Sequence, residues 1–419
     1  MKIIVIGAGL AGSACAHALA TRGCNVTVLE VGNVTAVTAA TANTAATALG
    51  SAASPSSGLP AALMAPHHGA ASNPITQLSH LGIAATEQAA RTLLVEGRDW
   101  QHCGALQRAG KLGPQAHWFS DAAWVKPAAL VAAWLAHPRI TLLQGKAVNS
   151  LQRCDSAADP WQAVDAQGHV LAQAENVVVA NAYQAKHLLS QLHHSLNHNP
   201  HATLQHVAQA LHQVAGQVVY GPWTAAWQAL WPTLLPELAA QRAANRASQA
   251  ADALDVCAVN GNGHFIPAIP WQGSAGDSTS IWLSGSTYEH DTPQNQVPGS
   301  AHLRPAAPQV TAQGLAANLQ RLQQLLPAAA QLLAAQHNAG LLRGWAGVRC
   351  TTRDRLPVVG ALAQVQGVYV CTAMGSRGVS FAALCGQHVA ALVTKTASQY
   401  LPEFLASALG TTRFSHTVR

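Results

Sequence analysis

The stretch Met1–Glu30, MKIIVIGAGLAGSACAHALATRGCNVTVLE, limits the fold more tightly than any other part of the chain. Apolar Ile3–Ile6 reads as a strand, and Gly7, Gly9 and Gly12 stand in G-x-G-x-x-G spacing. A small-residue helix follows, then a second strand, Val26–Leu29, ended by Glu30. Each part meets a demand of dinucleotide binding. Gly7 has no Cβ and permits the sharp turn from strand to helix. Ala8 and Gly9 let a pyrophosphate approach the backbone, where the free N–H groups of the helix's first turn face its charge. Gly12 lets the helix lie close on the sheet. Glu30 is placed to accept hydrogen bonds from a ribose diol and would repel a 2′-phosphate. The competing reading is a Gly/Ala-rich β-α-β unit with no ligand, and the register of strand, helix, strand and acid weighs against it. Spacing alone does not choose FAD over NAD.

Composition sets wider bounds. At 419 residues, with 10% charged and 49% apolar side chains, the chain is long enough for two domains or one large composite, with a sizeable core. No apolar run approaches the ~20 residues that span a bilayer. Glycines interrupt the N-terminus where a signal peptide keeps an unbroken apolar region. A cytoplasmic protein with no membrane association is therefore expected. The eight cysteines show no C-x-x-C and no regular spacing, which argues against a zinc site or disulfide framework. His193, His194, His198 and His201 lie in a polar stretch where no carboxylate completes a ligand set, so no metal is expected. The formal charge of +6 suits an anionic partner such as RNA, and equally a solubility role.

Along the chain, the Thr/Ala/Ser tract 34–58 has almost no large side chain and reads as a low-complexity insertion. Segment 59–68 restores apolar content as a strand returning to the cofactor. Residues 75–94 have helical spacing. Pro127 suits the first turn of an apolar helix running to Leu135. Ile140–Leu143 and Ala163–Val164 suggest strands. Asn176–Ala180, a β-branched run ending at Asn181, reads as a buried parallel strand with a ligand-side loop at its carboxyl end. From 190 to 340, strands at 217–220, 263–266 and 281–284 and an amphipathic helix over 315–333 suggest an α+β cap. Trp223, Trp227 and Trp231 form one helical stripe, read as core, with stacking of unpaired bases secondary. Near the other end, GWAGVRCTTRDRLPVVG at 344–360 puts three arginines near a turn. Strand 368–371, loop Met374-Gly375-Ser376-Arg377-Gly378 and the helix from Ser380 then repeat the strand, Gly-rich loop, helix pattern. Two such units imply that both ends enter one domain and that the middle is an inserted cap. The expected division is 1–80, 125–190 and 343–419 for the dinucleotide domain, and 81–124 and 191–342 for the cap.

The fingerprint with Glu30, VVVANAYQ at 177–184, and the pair GVRCTTRDRLPVVG and MGSRGVSFAALCG resemble the D-amino-acid-oxidase-fold FAD-dependent oxidoreductases. AWVKPAAL, VAGQVVYGP and SGSTYEHD narrow the resemblance to the oxidoreductase half of the bifunctional tRNA 5-methylaminomethyl-2-thiouridine biosynthesis proteins. The resemblance implies a Rossmann-like α/β FAD-binding domain with an inserted α+β substrate cap, and FAD as the cofactor. It also implies oxidative removal of the carboxymethyl arm from 5-carboxymethylaminomethyl-(2-thio)uridine at the tRNA wobble position, with release of glyoxylate. The family's turn of A-S-G-N type after the acidic residue is expected to be missing, because the Thr/Ala/Ser tract stands there. As the chain starts at its dinucleotide strand, only the oxidative step is expected, with a separate tRNA methyltransferase as a partner.

The flavin supplies the redox chemistry, which accounts for the lack of an obvious acid–base pair. Arg349 is the expected catalytic residue, holding the substrate carboxylate bidentately and aiming the adjacent C–H at the flavin; the competing role is an ion pair closing the 344–360 turn. Arg353 and Arg355 are expected to pair with Asp354 or touch RNA phosphate. Tyr288 and His264 are candidate pocket residues. Ala180 and Asn181, with Gly375, Ser376, Arg377, Gly378 and Val379, are expected at the cofactor, the last helix's N-terminus stabilising negative charge on reduced flavin. Lys126 is read as solvent-facing and Cys350 as an inert buried thiol. Two other functions fit the same motifs: an FAD-dependent oxidase or dehydrogenase of a free amino acid such as glycine, sarcosine or a D-amino acid, and a non-catalytic flavin-binding partner module.

Overall fold

The computed structural model describes residues 1–34, 56–108, 116–156, 158–195, 202–235, 256–272, 278–290, 309–363, 365–397 and 401–415. Most of the 34–58 tract, and His198 and His201, lie outside the described residues.

The opening strand, Lys2–Ile6, sits inside a six-stranded sheet. Its order is Val358–Ala361, Val368–Thr372, Asn176–Val179, Lys2–Ile6, Asn25–Glu30, Ile140–Gln144, parallel except for the first pair. The central strands are continuous apolar runs because both faces are covered. Ile3 and Val5 pack against helices Leu10–Thr21 and Gly378–Thr394, while Ile4 and Ile6 pack against Ala185–Ser195 and Ala202–Ala210. The two ends of the chain thus meet in one sheet, as the repeated strand-loop-helix pattern implied.

A second, eight-stranded sheet forms the cap. It runs Glu289–His290, His212–Pro222, Ser278–Gly285, Gly263–Gln272, Ala258–Gly261, Ala105–Gln107, His117–Phe119, with Arg343–Thr351 also paired to His212–Pro222. One face buries Trp227, Trp231, Phe265 and Trp282 under helices Ala225–Leu234 and Ala312–Leu325. Trp223 stacks on Trp227 with ring centroids 5.5 Å apart. The tryptophan stripe is therefore core and offers no base-stacking surface. Gln336 ties the layer together, its Oε1 accepting from Trp282 Nε1 at 2.9 Å and Trp227 Nε1 at 3.3 Å.

Several expectations are corrected. The helix read over 315–333 is broken into Ala312–Leu325 and Ala330–Asn338 by the 3-10 turn Pro327–Ala329, because proline cannot donate in a helix interior but suits a first turn. The first half of 344–360 is a strand, so Arg349 stands in a sheet and not at a turn. Asp354 is held by Arg413, with Nε to Oδ2 at 3.0 Å, which removes it as the expected partner of Arg353 and Arg355. Two elements run across the division drawn from the sequence. Helix Pro74–Leu93 runs through residue 80 and bonds Val379 O through Thr86 Oγ1 at 2.9 Å, and Arg343–Thr351 is a strand of the cap sheet. No helix among the described residues is long and apolar enough to cross a membrane.

Candidate active site

A cavity of about 880 Å³ lies between the carboxyl ends of the parallel strands and one face of the cap sheet. This is where open α/β sheets take ligands. Gly7 and Gly9 line its floor. Gly7 has φ +100°, and a Cβ there would stand 2.8 Å from Ala180 O and from Asn181 Cα, so the turn and the neighbouring strand end fit only around glycine. Gly12 does not line the cavity. Its role is close packing, since a Cβ would fall 1.8 Å from Gly7 O. Ala8 likewise acts through its backbone: its N–H donates to Glu30 Oε2 at 2.8 Å, and Gly32 N donates to Oε1 at 2.8 Å. These bonds fix the Glu30 carboxylate at the cavity wall beside Lys146 and Asn149. Both residues follow the parallel strand Ile140–Gln144, at the sheet end where open α/β folds take ligands.

The covering turn expected to be missing is present. The short turn Ser56–Gly58 closes over the fingerprint, with Leu10 N donating to Ser57 Oγ at 3.0 Å and Ser56 Oγ donating to Val348 O. Two serines next to glycine suffice where a longer signature was sought, because the turn needs only small side chains and a hydroxyl acceptor.

At the other end of the cavity, Val368–Thr372 leads through Gly375–Arg377 into helix Gly378–Thr394, and Gly375, Ser376, Arg377, Gly378 and Val379 all line the wall. Arg377 Nη2 lies 3.0 Å from His67 Nδ1; since arginine only donates, that nitrogen accepts. Burial, and then the Arg377 charge, pushes His67 down to about 4, so its ring is neutral near pH 7. His67 gave no signal in the sequence, because its partner lies some three hundred positions away.

Arg349 occupies the cap side. Its Nη2 donates to Ser286 Oγ at 2.6 Å and its Nη1 to Thr287 O at 3.3 Å, and its Cζ lies 4.8 Å from the centroid of the Tyr288 ring. Burial pulls this guanidinium below its ordinary value, and no carboxylate among the described residues pairs with it. Space for it comes from Gly216 on the adjacent strand, where a Cβ would stand 2.1 Å from Nη1. Sequence reading missed Gly216, since only the pairing of the two strands reveals it. Tyr288 is 54% exposed and marks the mouth. His264 lines the cavity, and burial, then Arg349, pushes it down to about 4. Cys350 is pushed up to about 12 by burial, as fits an inert thiol. Lys126 is half-buried beside Asp99 instead of facing solvent, because its N–H donates to Asp99 O at 2.8 Å at the helix start, and it does not line the cavity.

Asn181 Oδ1 and His264 Nε2 are buried with no hydrogen-bond partner among the described residues. Orphaned polar atoms of this kind, at a glycine cradle and beside a fixed acid, fit a dinucleotide with a polar reacting end.

Comparison with known proteins agrees. The family model for FAD dependent oxidoreductases, DAO, matches residues 2–392. The chain is 35% identical over 428 residues to the tRNA 5-methylaminomethyl-2-thiouridine biosynthesis bifunctional protein MnmC of Polaromonas naphthalenivorans, covering 93% of this chain and 56% of that protein. Against the protein of the same name from Polaromonas sp. (strain JS666 / ATCC BAA-500), identity is 36% over 425 residues. The chain thus spans about half the length of these curated relatives. Among solved structures, glycine oxidase from Geobacillus kaustophilus superposes with a TM-score of 0.65 at 17% identity, covering 98% of this chain and 99% of that one. Fold, cavity and sequence agree on one assignment: the chain belongs to the DAO family of FAD-dependent oxidoreductases, and FAD is its cofactor.

Proposed function

We propose that this enzyme oxidatively removes the carboxymethyl group from 5-carboxymethylaminomethyl-(2-thio)uridine at the tRNA wobble position. The observation that carries the reading is Arg349, a buried guanidinium facing the cavity with no carboxylate of its own among the described residues. Such a cation calls for an anionic substrate group. In the reaction, the C–H bond between amine nitrogen and carboxylate is oxidised to C=N, and water then releases glyoxylate and the aminomethyl nucleoside. Bound FAD supplies the two-electron acceptor.

The chain's own residues bind and orient. The glycine turn Gly7–Gly12, with Ser57, Glu30, Ala180 and Asn181 around it, holds the dinucleotide, and the segment Gly375–Val379 holds its reacting end. The first turn of helix Gly378–Thr394 adds a positive dipole there. Arg349 binds the carboxylate and Tyr288 lies against its guanidinium, fixing which C–H faces the reacting end. His264, neutral near pH 7, offers a ring nitrogen as acceptor to an amine N–H of the substrate. The names of the MnmC relatives point to tRNA, and the exposed mouth at Tyr288 and His68 suits a nucleoside presented on a large molecule. Such an enzyme works in the cytoplasm, where its aminomethyl product is open to methylation by a tRNA methyltransferase activity.

Nucleoside analysis of tRNA from cells lacking the protein tests this reading. Carboxymethylaminomethyluridine is expected to accumulate; an unchanged profile would sink it and favour a free amino acid as substrate. A second expectation concerns Gly216. Gly216→Ala should displace the Arg349 guanidinium without touching the dinucleotide turn, raising KM roughly tenfold, equivalent to about 1.4 kcal/mol. Flavin content per protein should stay at the wild-type value, and a fall in it would place Gly216 in the cofactor site instead.

A further inference from the structure

Strand register places a line of polar side chains across the cap sheet. His117 pairs with Gln107, Gln107 with Asn260, Asn260 with His264, and His264 with Gly285. Residues paired in register share a face, and Gln107, Asn260 and His264 line the cavity. Their alternates Leu106, Val259 and Phe265 are buried in the aromatic layer on the opposite face. Polar residues are costly on a sheet face unless something uses them, and here four stand in consecutive strands. At ~4.8 Å per strand, the line leads roughly 14 Å from His264 to His117.

The amides are already oriented. Asn260 Nδ2 donates to Gln107 Oε1 at 2.8 Å, and Gln107 Nε2 gives one proton to Arg108 O at 3.3 Å. Asn260 Oδ1 remains as an acceptor, and the second Gln107 Nε2 proton as a donor. A uracil edge offers the complement, an N3–H donor between two carbonyl acceptors. At the outer end, the His68 ring packs on His117 with centroids 4.9 Å apart and planes 31° apart, with Phe119 edge-on to His68 at 6.4 Å. His68 is exposed and also lines the cavity, so the step presents an aromatic face beside the amides.

We infer that Asn260 and Gln107, with the His68–His117 step, form a nucleobase subsite that reads the uracil carrying the reactive arm. The inference rests on the function proposed above and names what that site recognises. The arm supports the spacing. From carboxyl carbon to the uracil ring are four single bonds of ~1.5 Å, roughly 5 Å extended. That is about one strand step, so a carboxylate at Arg349, whose Nη2 bonds Ser286 next to Gly285, sets the ring beside His264, the partner of Gly285, with its far edge toward Asn260 on the following strand. The subsite would make the arm alone a poor ligand.

Binding to the FAD-loaded enzyme tests this without turnover, read as perturbation of the flavin absorbance. Two unreactive ether probes are compared: 5-(carboxymethoxymethyl)uridine, which carries ring and arm, and methoxyacetate, which is the arm alone. The wild type is expected to bind the nucleoside at least tenfold more tightly than methoxyacetate. Asn260→Leu and Gln107→Leu should each erase most of that margin while leaving methoxyacetate within twofold. His68→Ala, at an exposed position that threatens folding least, should weaken the nucleoside at least threefold and spare methoxyacetate. The inference is overturned if the wild type shows no preference for the nucleoside, or if the variants leave the ratio of the two affinities unchanged. Failure of the tRNA reading looks different: the preference for the uracil probe would persist while tRNA from the deletion strain stays normal.

Discussion

Arg349→Ala is expected to cut turnover steeply while the protein stays yellow. The substitution removes a buried cation from the cavity and leaves the dinucleotide turn, Ser57 and the Gly375–Val379 segment untouched. Truncating one side of a buried, hydrogen-bonded charge pair costs about 2–5 kcal/mol, which corresponds to roughly 30- to 5,000-fold in kcat/KM. Arg349→Lys should recover little, because an ammonium cannot hold a carboxylate bidentately while also serving Ser286 and Thr287. Steady-state kinetics and the flavin spectrum of the same preparation check both halves. Flavin loss in Arg349→Ala would give Arg349 a structural role.

Gly12→Ala should have the largest effect on the cofactor. A single methyl there lands 1.8 Å from Gly7 O, and a clash between two backbone segments has no flexible side chain to absorb it. Either helix Leu10–Thr21 lifts from the sheet or the Gly7 turn opens, and both move the N–H groups aimed at the pyrophosphate. Overpacking of this kind costs about 1–3 kcal/mol, occasionally more. The variant should therefore purify with little FAD and melt several degrees below the wild type. Full flavin occupancy would show that the turn accommodates the methyl.

Much of the flavin half was legible in the sequence, because its signals are local. The spacing of Gly7, Gly9 and Gly12, the acid at Glu30 and the apolar run at Asn176–Val179 each report their own surroundings. Arg349 was also singled out from the sequence, although its segment was read as lying near a turn, whereas pairing with His212–Pro222 keeps it extended. The remainder depends on contacts between distant segments. Gly216 matters only because Arg349 crosses it, His67 only because Arg377 reaches it, and Ser57 only because the chain returns to Leu10. The polar line from His264 to His117 was invisible for the same reason, since register between strands is not written in any one of them.

The order of the parallel sheet also bears on how the protein is made. Strand Asn176–Val179 lies between Lys2–Ile6 and Val368–Thr372, and helix Leu10–Thr21 packs against Gly378–Thr394. During synthesis the segment Lys2–Glu30 must therefore wait for Val368–Thr372 and Gly378–Thr394, more than three hundred positions later, before its cover is complete. Long-range pairing of this kind is slow, and a half-covered apolar strand is exposed to aggregation meanwhile. Most strands of the cap sheet, by contrast, have emerged before the final parallel strand is synthesised. The flavin site thus closes after most of the cap strands are made, and free FAD has its first chance to bind only once Gly375–Val379 has been synthesised.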